Sequence, residues 1–307
     1  MQKFFLPVLV WLFAFSCSVS GEITSPLVNI PESSDNVEVE RLIKTIVNKD
    51  VQRRIEFVSK YFLGRKYRPE TKKRIKQQRT AKPAVKKEAT NTQPLPVKIV
   101  RTSFTYLDCM TYVEHVLAVA ASDVPEYEKG FMNRLLDIVY NAGGTPLMSH
   151  HRNHFTSMWA DINEQKGYVV NIARNHPAAV PRELFLNRVG ANRTFYVEDS
   201  FMIASQSQIM WYFPIDRILN GHTPIESGDI VAMATDKEGL DVTHMGFYIE
   251  HDNQKWLRHA SLKLNRVVDE DFEEYLRKGS HIKGLIVLRP VLNAAATHIY
   301  RFNRVKQ

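Results

Sequence analysis

Apolar residues recur at three- and four-residue steps between residues 37 and 62. Val39, Leu42, Ile43, Ile46 and Val47 form one stripe, Ile55, Val58 and Phe62 a second, and Gly64 follows as a stop. The pattern predicts two amphipathic helices. A third is predicted from Asp108, a good N-cap, through Cys109, Val113, Val116, Leu117 and Ala120. A fourth covers residues 131–140, with Leu135, Leu136 and Val139 facing inward before Gly143-Gly144-Thr145-Pro146. From Gly228 the period shortens: residues 229–235, 243–251, 255–261 and 283–289 are short β-branched or aromatic runs separated by turn residues. Helices first and strands later point to an α+β fold, with the Asp108-capped helix packed on a small antiparallel sheet, rather than to alternating βαβ units. Residues 145–225 carry no regular pattern, and no fold is assigned to them.

The 307 residues are 44% hydrophobic and 24% charged, which excludes a disordered, collagenous or disulfide-stapled chain. The net charge of +8 is local. Residues 65–87 hold 11 Lys/Arg and one acid, Glu70, so the rest of the chain is slightly negative. That stretch lacks apolar periodicity and runs into Pro94-Leu95-Pro96, which marks residues 65–96 as a solvated basic insertion. Apart from Tyr67 it has no aromatic residue interleaved for base stacking, so nucleic acid is not the expected partner. A cationic arm steering the protein to anionic polymer and a plain linker both fit.

At the amino terminus, Lys3, the apolar run from Phe4 to Phe15 and small residues up to Gly21 have the layout of a secretory leader over residues 1–21. The run is shorter than the roughly 20 residues a permanent span needs. Ala14-Phe15-Ser16-Cys17 is a loose lipoprotein site, and Ser18-Val19-Ser20 suits an ordinary signal peptidase. Cys17 is therefore either a lipid anchor or removed, and the expected location is exported, periplasmic or membrane-anchored. Residues 22–64 would then form an N-terminal helical part and residues 97–307 the catalytic domain.

Cys109 is left as the single thiol of an exported chain, where an unpaired cysteine calls for a chemical explanation. A buried core residue is the plain alternative. In the first turn of a helix, backbone N–H groups and the helix dipole are expected to lower the thiol pKa. A base is also required. If Asp252-Asn253 is a two-residue turn, facing residues have numbers summing to 505, so His244 faces Ser261 and Gly246 faces His259. His244 and His259 are then diagonal neighbours on one face, roughly 7–8 Å apart. A three-residue turn would put them on opposite faces.

These residues lie within Leu107-Asp108-Cys109-Met110-Thr111-Tyr112-Val113-Glu114, Gly228-Asp229-Ile230-Val231, Leu240-Asp241-Val242-Thr243-His244-Met245-Gly246-Phe247 and His259-Ala260-Ser261. In this order the blocks resemble those of the NlpC-type papain-like cysteine hydrolases, and more narrowly their N-acetylmuramoyl-L-alanine amidase-like branch. The resemblance implies a papain-like fold and cleavage of amide bonds in peptidoglycan or muropeptides. It implies Cys109 as nucleophile, His244 as base and His259 as the residue orienting His244, with no metal or cofactor. The scissile bond it implies joins the lactyl group of N-acetylmuramic acid to L-alanine, although relatives cut within the stem peptide. A non-catalytic wall-binding lipoprotein would not need all three residues. Met110 and Tyr112 depart from the pattern, and the basic insertion separates Gly64 from the nucleophile helix more widely than usual.

Asp108 and Ser261, beside the reacting groups, are substrate-contact candidates. So are Arg152, His154 and Trp159, which resemble the family's Arg-x-His-aromatic segment, with a packed connector as the alternative. Asp241 either receives a substrate amine or caps a turn. His150, His151 and His154 have metal-like spacing but no acidic helper, so no metal site is assigned. His115, His176, His222, His251, His281 and His298 have no evident chemical company.

Overall fold

Both N-terminal stripes fold as helices. The computed structural model describes residues 27–31, 35–69, 102–142, 147, 151–153, 155–186, 206–237, 240–294 and 300–305. The leader with Cys17 lies outside them, as do residues 70–101, His150 and His154. Helices α1 (Asp35–Ile46) and α2 (Val51–Tyr61) bury Val39, Leu42, Ile43, Ile46, Ile55 and Val58, and Phe62 is buried just past α2; Val47, expected on the first stripe, follows the end of α1 and is only half-buried. Asp50 caps α2 by accepting the Arg53 N–H at 2.9 Å. Helix α3 (Cys109–Ala120) opens on a reciprocal cap: Asp108 Oδ1 accepts the Thr111 N–H at 2.9 Å, and Thr111 Oγ1 accepts the Asp108 N–H at 2.8 Å. A π-turn at Glu128–Met132 leads into α4 (Asn133–Val139). No helix among the described residues is long and apolar enough to cross a membrane.

The four predicted strands are present as β7 (Ile230–Thr235), β8 (Val242–His251), β9 (Gln254–Ser261) and β11 (Ile282–Pro290). The sheet is larger than expected. It also takes in β2 (Lys66–Tyr67), β3 (Tyr106–Leu107), β4 (Val169–Asn171), β5 (Val180–Leu186), β6 (Gln206–Pro214) and β10 (Arg266–Asp271). The strand order is β3-β2-β10-β9-β8-β7-β11-β6-β5, with β4 also on β11. Only β2–β3 is parallel among these pairs. A separate parallel ribbon joins β1 (Leu27–Pro31) to β12 (Arg301–Val305).

Both faces of the sheet are covered. Met245, Phe247, Ile249 and Ala260 pack with the helical residues Ile43, Val58, Tyr112 and Val116. Tyr248, Leu257, Met233 and Val287 pack on the other face against Phe272 and Leu276 of α7 (Phe272–Lys278; the short α6 is Ile215–Leu219). Every residue of β7 is consequently buried, which is why that strand reads as an unbroken apolar run. Each large side chain buried in this way contributes about 1.5–3 kcal/mol.

One sequence boundary shifts. Gly64, at φ +83°, turns the chain out of α2, and its N–H donates to Val267 O at 2.9 Å. The turn seats Arg65, Lys66 and Tyr67 alongside β10. Residues 65–68 thus belong to the fold rather than to a solvated insertion, because their backbone completes a sheet edge. In the unassigned region α5 (Thr156–Gln165), β4, β5 and β6 appear.

Candidate active site

The hairpin turns in two residues. Asp252 and Asn253 sit at φ +53° and +58°, and pairing runs from His251↔Gln254 to Phe247↔Arg258. The same register sets Gly246 against His259, whose Cβ lies only 2.7 Å from where a side chain on Gly246 would begin. His244 and His259 share a face and meet directly: His244 Nε2 and His259 Nδ1 are 2.6 Å apart, with the rings nearly perpendicular at 86°.

The chain of contacts continues into a residue that the sequence reading missed. His259 Nε2 lies 2.8 Å from Glu270 Oε2 on β10, and Ser261 Oγ donates to the same oxygen at 3.4 Å. Glu270 falls in Arg-Val-Val-Asp-Glu-Asp, which looks like a solvated acidic run. Its signal was a second register: β10 pairs with β9 so that Val268 faces His259, placing Glu270 diagonally on the same face. Next to it, on the opposite face, Arg258 grips Asp269 through two contacts of 2.7 Å and also reaches Ser59 Oγ at 3.3 Å.

Cys109 reaches this cluster from the start of α3. Past the end of the β8–β9 ladder, the backbone N–H of Met245, the residue after His244, favours its thiolate, as do the N–H groups of Met110 and of Cys109 itself. Tyr275 of α7 meets the His259 ring edge-on at 5.3 Å and lies tilted 6.2 Å from the His244 ring, and Tyr275 and Tyr67 both feel the charge of a Cys109 thiolate. Sulfur, two imidazoles, a carboxylate and two phenols thus share one locality, and Cys109 keeps partial exposure.

The electrostatics differ from the sequence expectation. Burial, reinforced by the Asp108 carboxylate, pushes the Cys109 thiol up to about 12, and the three backbone N–H groups pull the other way without prevailing. Burial, and then the neighbouring His259, take His244 down to about 3. Thiol and imidazole are both neutral at rest near pH 7. Such a pair can act by proton transfer during attack rather than as a standing ion pair.

The other candidates are placed as follows. Asp241 is buried and caps α5, accepting the Ser157 N–H at 2.6 Å and the Val242 N–H at 2.7 Å. Burial raises its pKa against those bonds. Trp159 is fully buried in the core. Arg152 pairs at 3.2 Å with Glu114, a buried acid one turn past Cys109 on α3. Asp108 serves as the α3 cap. His115 is buried with Nδ1 2.7 Å from Thr111 O, and His176 Nδ1 accepts the Ala178 N–H at 3.1 Å. Among the described residues, no three His, Cys, Asp or Glu side chains are placed to hold a metal ion.

The family model for AmiA-like, N-acetylmuramoyl-L-alanine amidase-like proteins matches residues 57–283, which contain every member of this cluster. The chain belongs to that family. Proteins of known structure share its fold. A Legionella pneumophila protein is 22% identical, with a TM-score of 0.63 over 83% of this chain and 94% of its own. An N-acetylmuramoyl-L-alanine amidase from Bacteroides uniformis is 21% identical, with a TM-score of 0.61 over 78% of this chain and 98% of its own. At these identities the likeness is one of fold. No curated protein matches the sequence.

Proposed function

We propose that this protein is a cysteine-dependent amidase of papain-like design that acts on peptidoglycan or its fragments, at the bond between the lactyl group of N-acetylmuramic acid and L-alanine. The observation that carries the reading is the arrival of Cys109, at a helix N-terminus, beside a strand that bears a paired imidazole: the Met245 backbone N–H favours its thiolate while the adjacent His244 bonds His259. Membership of an amidase-like family supports the substrate class.

In this mechanism the Cys109 sulfur attacks the amide carbonyl as its proton passes to His244. The backbone N–H groups at the start of α3 face the developing oxyanion. His244 then delivers the proton to the departing amine as the C–N bond breaks, leaving a thioester on Cys109. Water, deprotonated by His244, attacks the thioester and frees the acid and the thiol. Asp108 and Ser261 border the reacting groups and face substrate. We further take residues 1–21 to direct export, with Cys17 acylated if it is retained.

The test is incubation of wild-type and Cys109→Ala protein with defined muropeptides, read by mass. Free stem peptide plus amino sugar from the wild type alone is expected. Split stem peptides would move the scissile bond, and equal turnover by both proteins would refute the cysteine mechanism.

A further inference from the structure

The proposed steps leave open which nitrogen of His244 faces the sulfur, and Glu270 answers this. We infer that Glu270 is a positioning residue that fixes the protons on both imidazoles and so presents the lone pair of His244 Nδ1 to Cys109; the inference rests on the nucleophile assignment above. At neutral pH a carboxylate only accepts hydrogen bonds, so the 2.8 Å contact requires the proton on His259 Nε2. Neutral His259 then has its lone pair on Nδ1. The 2.6 Å contact to that atom requires a proton on His244 Nε2. Neutral His244 is left with an unprotonated Nδ1, which no described residue hydrogen-bonds.

One carboxylate thereby sets two tautomers in series. When the S–H bond of Cys109 breaks and the N–H bond at His244 Nδ1 forms, the resulting positive charge enters a chain that ends on Glu270. The groups around this chain are Ser261 from β9, Tyr275 from α7 and Cys109 from α3 with Tyr67 of β2 beside it, while Asp269 of β10 acts on His259 through space from the opposite face. Of the two acids, Asp269 is held by Arg258 on the far face, so Glu270 is the acceptor. That same grip fixes the register of β10, and with it the position of residue 270 relative to His259.

The experiment has two readouts. Long-range ¹⁵N NMR of the imidazoles in the Cys109→Ala protein should show both histidines as single Nε2–H tautomers, and adding Glu270→Ala should abolish that preference. In the active protein, Glu270→Ala and Glu270→Gln should lower kcat by about 10–100-fold, as loss of the outer partner of a metal-bound imidazole does, with KM changed less than about twofold. Glu270→Asp should recover part of the rate. Loss of the negative charge disfavours imidazolium, so the imidazole-dependent limb of the kcat/KM profile should move to lower pH in Glu270→Gln. Unchanged tautomers, or a kcat within about twofold of wild type in both Glu270→Ala and Glu270→Gln, would overturn the inference. Turnover that survives Cys109→Ala would instead refute the nucleophile assignment, leaving the NMR result to judge the tautomers alone.

Discussion

Gly246→Ala isolates the packing that brings the two histidines together. A Cβ at this position would lie 2.7 Å from Arg258 O and 2.7 Å from His259 Cβ. The carbon–carbon gap is about 0.8 Å short of the roughly 3.5 Å at the near end of optimal contact, and the gap to the carbonyl oxygen is equally tight. Neither neighbour yields easily, since one is backbone of the adjacent strand and the other is the root of a buried side chain. Overpacking of this kind costs about 1–3 kcal/mol. At about 2–4 °C per kcal/mol for a domain of this size, the melting temperature should fall by about 2–12 °C. Activity should suffer out of proportion, because a shift of a few tenths of an ångström at His259 opens its 2.6 Å contact with His244. Thermal unfolding followed by circular dichroism gives the first number. Muropeptide turnover at least 15 °C below the variant's midpoint gives the second, with a loss of about tenfold or more expected. A variant that melts within 1 °C of wild type and turns over normally would refute the argument from contact distance.

Three further outcomes are expected. Asp269→Ala strands the buried Arg258 guanidinium and should cost about 3–5 kcal/mol in urea unfolding; a loss under about 1 kcal/mol would show that the pair is not a structural clamp. Burial takes His115 down to about 4 and His244 to about 3, both below the ordinary 6.5, so the unfolded chain binds protons first. Stability should be whole above pH 6.5 and fall as the pH drops below it, and His115→Leu should flatten that fall; a melting temperature level from pH 7 to 4.5 would contradict it. With its thiol near 12, Cys109 should show no thiolate absorbance at pH 7 against a Cys109→Ala blank and should alkylate slowly, whereas a full thiolate signal would mean that the helix amides outweigh burial.

The sequence discloses the parts of this fold whose signals are local. The stripes of α1 and α2, the Asp108 cap and the Asp252-Asn253 turn each follow from a few neighbouring residues, and extending the hairpin register was enough to pair His244 with His259. Glu270 needed a second register built on the first, and the acidic character of its surroundings hid it. In β5, Pro181 argues against a strand, yet this is the edge strand where proline is tolerated. The rise in the thiol pKa was out of reach for a different reason. A helix dipole can be inferred from position in the chain, but the packing around Cys109 comes from β2, α7 and β8, which are far apart in sequence. For Asp241 and Trp159 the residue types fitted a groove and a packed interior equally, and only coordinates place them as cap and core.

The position of β11 bears on how such a chain folds. It lies between β7 and β6 and also pairs β4, so it is the seam between the hairpin of β5 and β6 and the meander that carries the histidines. In the chain it follows every other strand of the sheet, starting at Ile282. Until it docks, the two halves of the sheet have no shared strand, so closing the long loops it spans should set the pace of folding.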